Sequence, residues 1–89
     1  MIKKMYSVKD LKVGVYNPPM AQNTHGEAER TFSQVVNDKN TTINQFPADY
    51  VLCYVGDYDD LTGRMTSLDV PQEIVGAVQV LRPNQAQLN

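Results

Sequence analysis

The chain has 89 residues, 42% of them hydrophobic and 20% charged, with a formal net charge of −2, one cysteine, one histidine and no tryptophan. That length holds one domain with a thin core, burying only about 60–65% of its unfolded surface. A lone cysteine and a lone histidine exclude an internal disulfide and any Cys-cluster metal site, so no cofactor is expected.

Lys4-Met5-Tyr6-Ser7-Val8 alternates weakly and reads as a short strand anchored by Met5 and Tyr6. Residues 9–12 are polar and turn-like, and Val13-Gly14-Val15-Tyr16 reads as a second strand completing an N-terminal hairpin. Asn17-Pro18-Pro19 stops it, because two prolines lack ladder donors and favour polyproline geometry. Thr24-His25-Gly26-Glu27 fits a capping box, and Glu27 and Glu29 suit the positive end of a helix. Ala28, Phe32, Val35 and Val36 then form one apolar stripe, and Asn37-Asp38-Lys39-Asn40 ends the helix.

After a polar stretch over residues 39–45 comes the most apolar segment, Tyr50-Val51-Leu52-Cys53-Tyr54-Val55. Its β-branched and aromatic content favours a central strand buried on both faces. Asp59-Asp60-Leu61-Thr62-Gly63 looks like a hairpin loop with Gly63 at positive φ, and Arg64-Met65-Thr66-Ser67-Leu68 is the returning strand. Ala77 to Leu81 reads as a last strand. The expected order is β-β-α-β-β-β: an α+β domain over residues 1–82, its small, mostly antiparallel sheet packed against one amphipathic helix, followed by a polar tail at 83–89.

Three clusters invite a chemical reading. The Asp57–Gly63 run has leucine, threonine and leucine where an EF-hand loop needs a fifth-position ligand, a glycine and a glutamate, so it reads as a turn and no metal is expected. Cys53, in the central strand, packs as a small hydrophobe. His25 stands at a helix start, solvated, with phosphate contact there as the minority reading. With no paired carboxylates, phosphate-cradling glycine loop or nucleophile elbow, a non-enzymatic role is expected. Neither an apolar run of about 18 residues nor an apolar signal core follows Met1, so a cytoplasmic protein is expected.

Charge is unevenly spread. Residues 1–24 carry Lys3, Lys4, Lys9 and Lys12 against Asp10, a local charge of +3. Residues 49–73 carry Asp49, Asp57, Asp59, Asp60, Asp69 and Glu73 against Arg64, a local charge of −5. The basic arm is interleaved with Tyr6 and Tyr16, the combination of cations and stacking rings that holds single-stranded nucleic acid. If Lys4, Tyr6 and Val8 share a strand face, one surface carries both components. The competing reading makes the tyrosines core and the lysines a solvated rim. A sequence pI near 5.1 counts against polyanion binding, although an asymmetric domain can still offer one basic face.

Several ordered blocks resemble a known family. They are Met5-Tyr6-Ser7-Val8-Lys9-Asp10 with Lys12, Ala28-Glu29-Arg30-Thr31-Phe32 with Val36-Asn37-Asp38, and Phe46-Pro47-Ala48-Asp49-Tyr50 followed by Gly56-Asp57-Tyr58-Asp59-Asp60 and Thr62-Gly63. Together they cover about residues 5–63, and the chain resembles the small non-structural protein of gokushovirus-like microviruses, phages with circular single-stranded DNA genomes. The resemblance implies a DNA-binding protein of the host cytoplasm, acting in genome replication or packaging, and carries over no catalytic residues. Single-stranded DNA is then the expected partner, held by Lys3, Lys4, Lys9 and Lys12, with Tyr6 and Tyr16 stacking on bases and Arg30 as a further contact. A homodimer is expected, because self-association buries apolar surface that a small core leaves exposed. The alternative is an adaptor whose acidic hairpin recruits host replication or phage capsid proteins.

Overall fold

In the computed structural model, which describes residues 1–83, the first strand organises the rest. β1 (Ile2–Asp10) extends beyond the expected stretch at both ends. Successive side chains of a strand point to opposite faces. Tyr6 and Val8 therefore enter the core together, while Lys3, Met5, Ser7 and Lys9 project from the other side.

The turn after β1 is built by Asp10, whose carboxylate accepts from the amides of Lys12 (2.9 Å) and Val13 (3.4 Å), and by Gly14 at φ 73°. β2 (Val15–Tyr16) returns antiparallel, completing the expected hairpin with Tyr16 opposite Lys9. The proline pair ends β2 as its chemistry requires, but the chain comes back to the same edge as β3 (Met20–Gln22), opposite Lys4–Tyr6. The sequence analysis did not anticipate this strand. Ser7 Oγ donates to the Asn17 carbonyl at 2.5 Å and the Asn17 amide to the Val8 carbonyl at 2.9 Å, so the link between β2 and β3 satisfies the one buried polar side chain of the core strand.

α1 (His25–Val36) matches the expected helix, with the Thr24 hydroxyl accepting from the Glu27 amide at 3.1 Å. Its stripe of Ala28, Phe32 and Val36 is buried against Tyr6, Val8 and Leu52. The polar stretch that follows is not a plain linker. It holds α2 (Thr42–Gln45), capped by Thr41 and placing Ile43 in the core, and then a 3-10 turn at Pro47–Asp49.

β4 (Tyr50–Asp59) lies between β1 and β5 (Met65–Gly76) in an all-antiparallel sheet ordered β2-β1-β4-β5, with β3 also on the β1 edge. Leu52 and Cys53, neighbours on opposite faces, are 0% and 1% exposed, so β4 is buried on both sides here, as its apolar run indicates. The hairpin loop closes where the Gly63 amide donates to the Asp59 carbonyl at 2.7 Å, with Gly63 at φ 76° as expected. Against β1, β4 carries one extra residue: Tyr54 faces Tyr6 and Gly56 faces Met5, leaving Val55 as a bulge.

The expected last strand at Ala77 to Leu81 is instead the one-turn α3 (Ala77–Val80). Gln79 Oε1 accepts from the Gly76 amide at 2.7 Å, Asn37 Nδ2 donates to the Val80 carbonyl at 3.1 Å, and the Arg82 amide donates to Asn37 Oδ1 at 2.8 Å. The Gln79 cap and the two bonds to Asn37 at the end of α1 override the strand preference of Val78 and Val80, and Ala77 is completely buried. The α+β class stands, but the order is β-β-β-α-α-β-β-α. The tail expected at 83–89 lies, apart from Pro83, outside the described residues. All three helices pack on the Tyr6–Val8–Leu52 face, and among the described residues no helix covers the opposite one.

Candidate nucleic-acid interface

The seven candidate residues fall on two sides of the sheet. Lys3 and Lys9 project from the helix-free face, with Tyr58 opposite Lys3 and Tyr16 opposite Lys9. Lys9 Nζ stands 5.3 Å from the centroid of the Tyr16 ring, and Tyr16 is 37% exposed. Lys12 is exposed in the adjoining turn. Lys9, Tyr16 and Lys12 thus lie together at one end of β1, and Lys3 lies six residues away on the same face.

Lys4, Tyr6 and Val8 do share a strand face, as the sequence analysis considered, but it is the face that α1 covers. Tyr6 is 0% exposed and the largest fully buried side chain, so it is a core residue whose ring offers no platform to a base. Lys4 lies on the same side, opposite Asp57 and with Nζ 5.4 Å from the Tyr54 ring centroid. Arg30 is exposed on α1, where it lines a hollow of about 590 Å³ with Gly26, Ser33 and Arg82. It is therefore separated from Lys3 and Lys9 by the thickness of the sheet.

His25 is half-buried rather than solvated. Its ring packs 5.5 Å from that of Tyr6 and 5.2 Å from that of Tyr54, and the Tyr6 hydroxyl is hydrogen-bonded to its Nδ1. The Tyr54 hydroxyl donates to Asp57 Oδ1 at 2.5 Å, and that bond, with burial, pushes its pKa up to about 12. Burial, then the Asp57 charge, also raises the Tyr6 hydroxyl. Both phenols thus stay protonated through the neutral range and serve as packing and hydrogen-bonding groups beneath α1. The Cys53 thiol is pushed up first by burial and then by Glu73, with Lys9 opposing, which matches its reading as a small core residue.

Tyr58 is the site residue that sequence reasoning missed. Alternation from the core residues Leu52 and Tyr54 would put Tyr58 under the helices and Asp57 and Asp59 on the open face. The Val55 bulge reverses this, because one extra residue flips every later side chain of the strand. Nothing in the sequence marks the bulge except Gly56. A Cβ there would run into the Thr66 carbonyl oxygen and meet Ser67 Cα at 2.9 Å, so β5 approaches too closely for any side chain.

A family model described as phage ORF5 protein matches residues 3–80. The chain belongs to the phage ORF5 protein family. The match runs from β1 into α3 and so takes in the whole sheet and all three helices of this ORF5 family member. No curated protein and no solved structure matches the chain. No helix among the described residues is long and apolar enough to cross a membrane.

Proposed function

We propose that this phage protein is a non-enzymatic single-stranded-DNA-binding protein of a gokushovirus-like microvirus, acting as a homodimer in genome replication or packaging in the host cytoplasm. The observation that carries the reading is the Lys9–Tyr16 pair. A cation and an aromatic ring are held together on an exposed hairpin, with Lys12 in the next turn and Lys3 further along the same strand face. Backbone-neutralising cations beside stacking rings are the elements of single-strand recognition.

The acidic residues favour this reading over the adaptor role, in which Asp57, Asp59, Asp60 and Asp69 would contact host replication or capsid proteins. Asp57 accepts the Tyr54 hydroxyl, Asp59 accepts the Leu61 amide at 2.9 Å within the turn, and Asp60 pairs with the amino terminus at 2.7 Å. Three of the four thus already have partners within the chain, at part-buried or exposed positions. Titration of labelled single- and double-stranded DNA at two salt concentrations tests the proposal. Salt-sensitive binding that prefers the single strand is expected, and no salt-sensitive binding of the single strand at low ionic strength contradicts it.

A further inference from the structure

We propose that the DNA site is the helix-free face of the sheet, with Tyr16 and Tyr58 as its two stacking platforms and Lys9 and Lys3 beside them. The inference rests on the single-stranded-DNA reading and assigns its surface and its second ring.

Strand pairing sorts the charges of this acidic chain by face. On β1 and β4, Lys3 and Lys9 project from the open face, whereas Lys4, Asp10, Asp57 and Asp59 project from the helix side. On the outer strand β5, Glu73 lies on the open face opposite Cys53, and exposed Asp69 falls in the stretch between Ser67 and Gln72 that has no partner in the register. On β1 and β4 that face is thus basic, although the chain as a whole carries −2. The complementarity is to a polyanion.

Each lysine has a tyrosine directly across the ladder, Tyr16 for Lys9 and Tyr58 for Lys3. Six residues of strand separate the two pairs, about 20 Å at 3.3–3.4 Å per residue. Between them lies a hollow of about 110 Å³ lined by Met5, Pro19, Val55 and Met65 together with Gly56, Asp57, Thr66 and Ser67. The face therefore presents a ring and a cation at each end, with an apolar hollow near Met5 and a covered stretch over Ser7 and Cys53 between them, so a bound strand would pass over the Asn17 link to reach both rings. Stacking discriminates little between bases, so low sequence preference is expected.

The test uses the full chain and a labelled oligothymidylate of about a dozen nucleotides, a length within the range of small single-strand-binding domains. Tyr16→Ala and Tyr58→Ala are each expected to weaken binding by about 5- to 150-fold, whereas Tyr16→Phe and Tyr58→Phe keep wild-type affinity, because a stack needs the ring and not the hydroxyl. Tyr58→Val, which suits a strand but has no ring, gives the same reading if Tyr58→Ala fails to fold. Binding by the wild type with undiminished affinity in folded Tyr16 and Tyr58 variants overturns this assignment and leaves the DNA reading standing. Absence of binding by the wild type overturns both.

Discussion

Two adjacent residues, Val55 and Gly56, decide which side chains the distal half of β4 shows to solvent. Val55 is the extra residue that shifts the register, and Gly56 allows β5 to cross at a distance no Cβ tolerates. Because the nearest atoms are backbone, Gly56→Ala is expected to cost about 1–3 kcal/mol, read as a lower urea midpoint with an unchanged slope. A second residue-scale prediction concerns Tyr54. Its pKa lies above the unfolded value, so its contribution to stability is complete below about pH 10 and fades as pH rises toward 12. Asp57→Asn removes the accepting carboxylate, so the ultraviolet phenolate signal of Tyr54 is expected to move toward the ordinary tyrosine range. Phenolate spectra identical in the two proteins would contradict the assignment. At this scale the sequence was readable where composition alone decides, as for Cys53 in an apolar run. It was not readable for Tyr6 and His25, whose surroundings come from α1 packing across a strand distant in sequence.

Among the elements, α1 was legible because a cap, an apolar stripe and a polar stop agree on the same residues. Its Phe32 is 1% exposed at the centre of the core, and Phe32→Ala is expected to destabilise the domain by about 3–5 kcal/mol in chemical denaturation. A loss of that size is a large part of the about 5–15 kcal/mol typical of a domain. β3 and α2 are short elements, three and four residues, and carry no periodicity to detect. They exist because Lys4–Tyr6 offers a free edge and because Ile43 fills space beside Val36. α3 was misread because Val78, Val80 and Leu81 favour extended backbone, while the contacts that bend the segment come from Asn37. Removing that side chain in Asn37→Ala breaks bonds to the Val80 carbonyl and the Arg82 amide. The expected result is a loss of about 1–3 kcal/mol together with faster amide exchange confined to the α3 region. Uniform exchange across the chain would show that Asn37 does not anchor α3.

For the whole molecule, what matters is the separation of charge hidden in a net −2. The sequence showed a basic amino-terminal region and an acidic hairpin, which is a separation along the chain. Folding turns part of it into a separation across the sheet, with the bulge in β4 sending Asp57 and Asp59 to the helix side, while Lys4 and Glu73 cross to the opposite faces. Among the described residues β5 pairs with β4 alone, leaving a strand edge with Val70 77% exposed. Such an edge invites pairing with a second copy. Light scattering at micromolar concentration is expected to give twice the chain mass of 10.0 kDa, and a monomer mass contradicts the homodimer. The account is tested most directly by the salt dependence of single-stranded-DNA affinity in the wild type, in Lys3→Ala/Lys9→Ala, and in Lys39→Ala, which removes an exposed charge beyond the end of α1. The double variant is predicted to have a log–log slope shallower by about 1.4, at about 0.7 per phosphate contact, and Lys39→Ala the wild-type slope. Equal slopes in all three proteins would contradict a binding face built on Lys3 and Lys9.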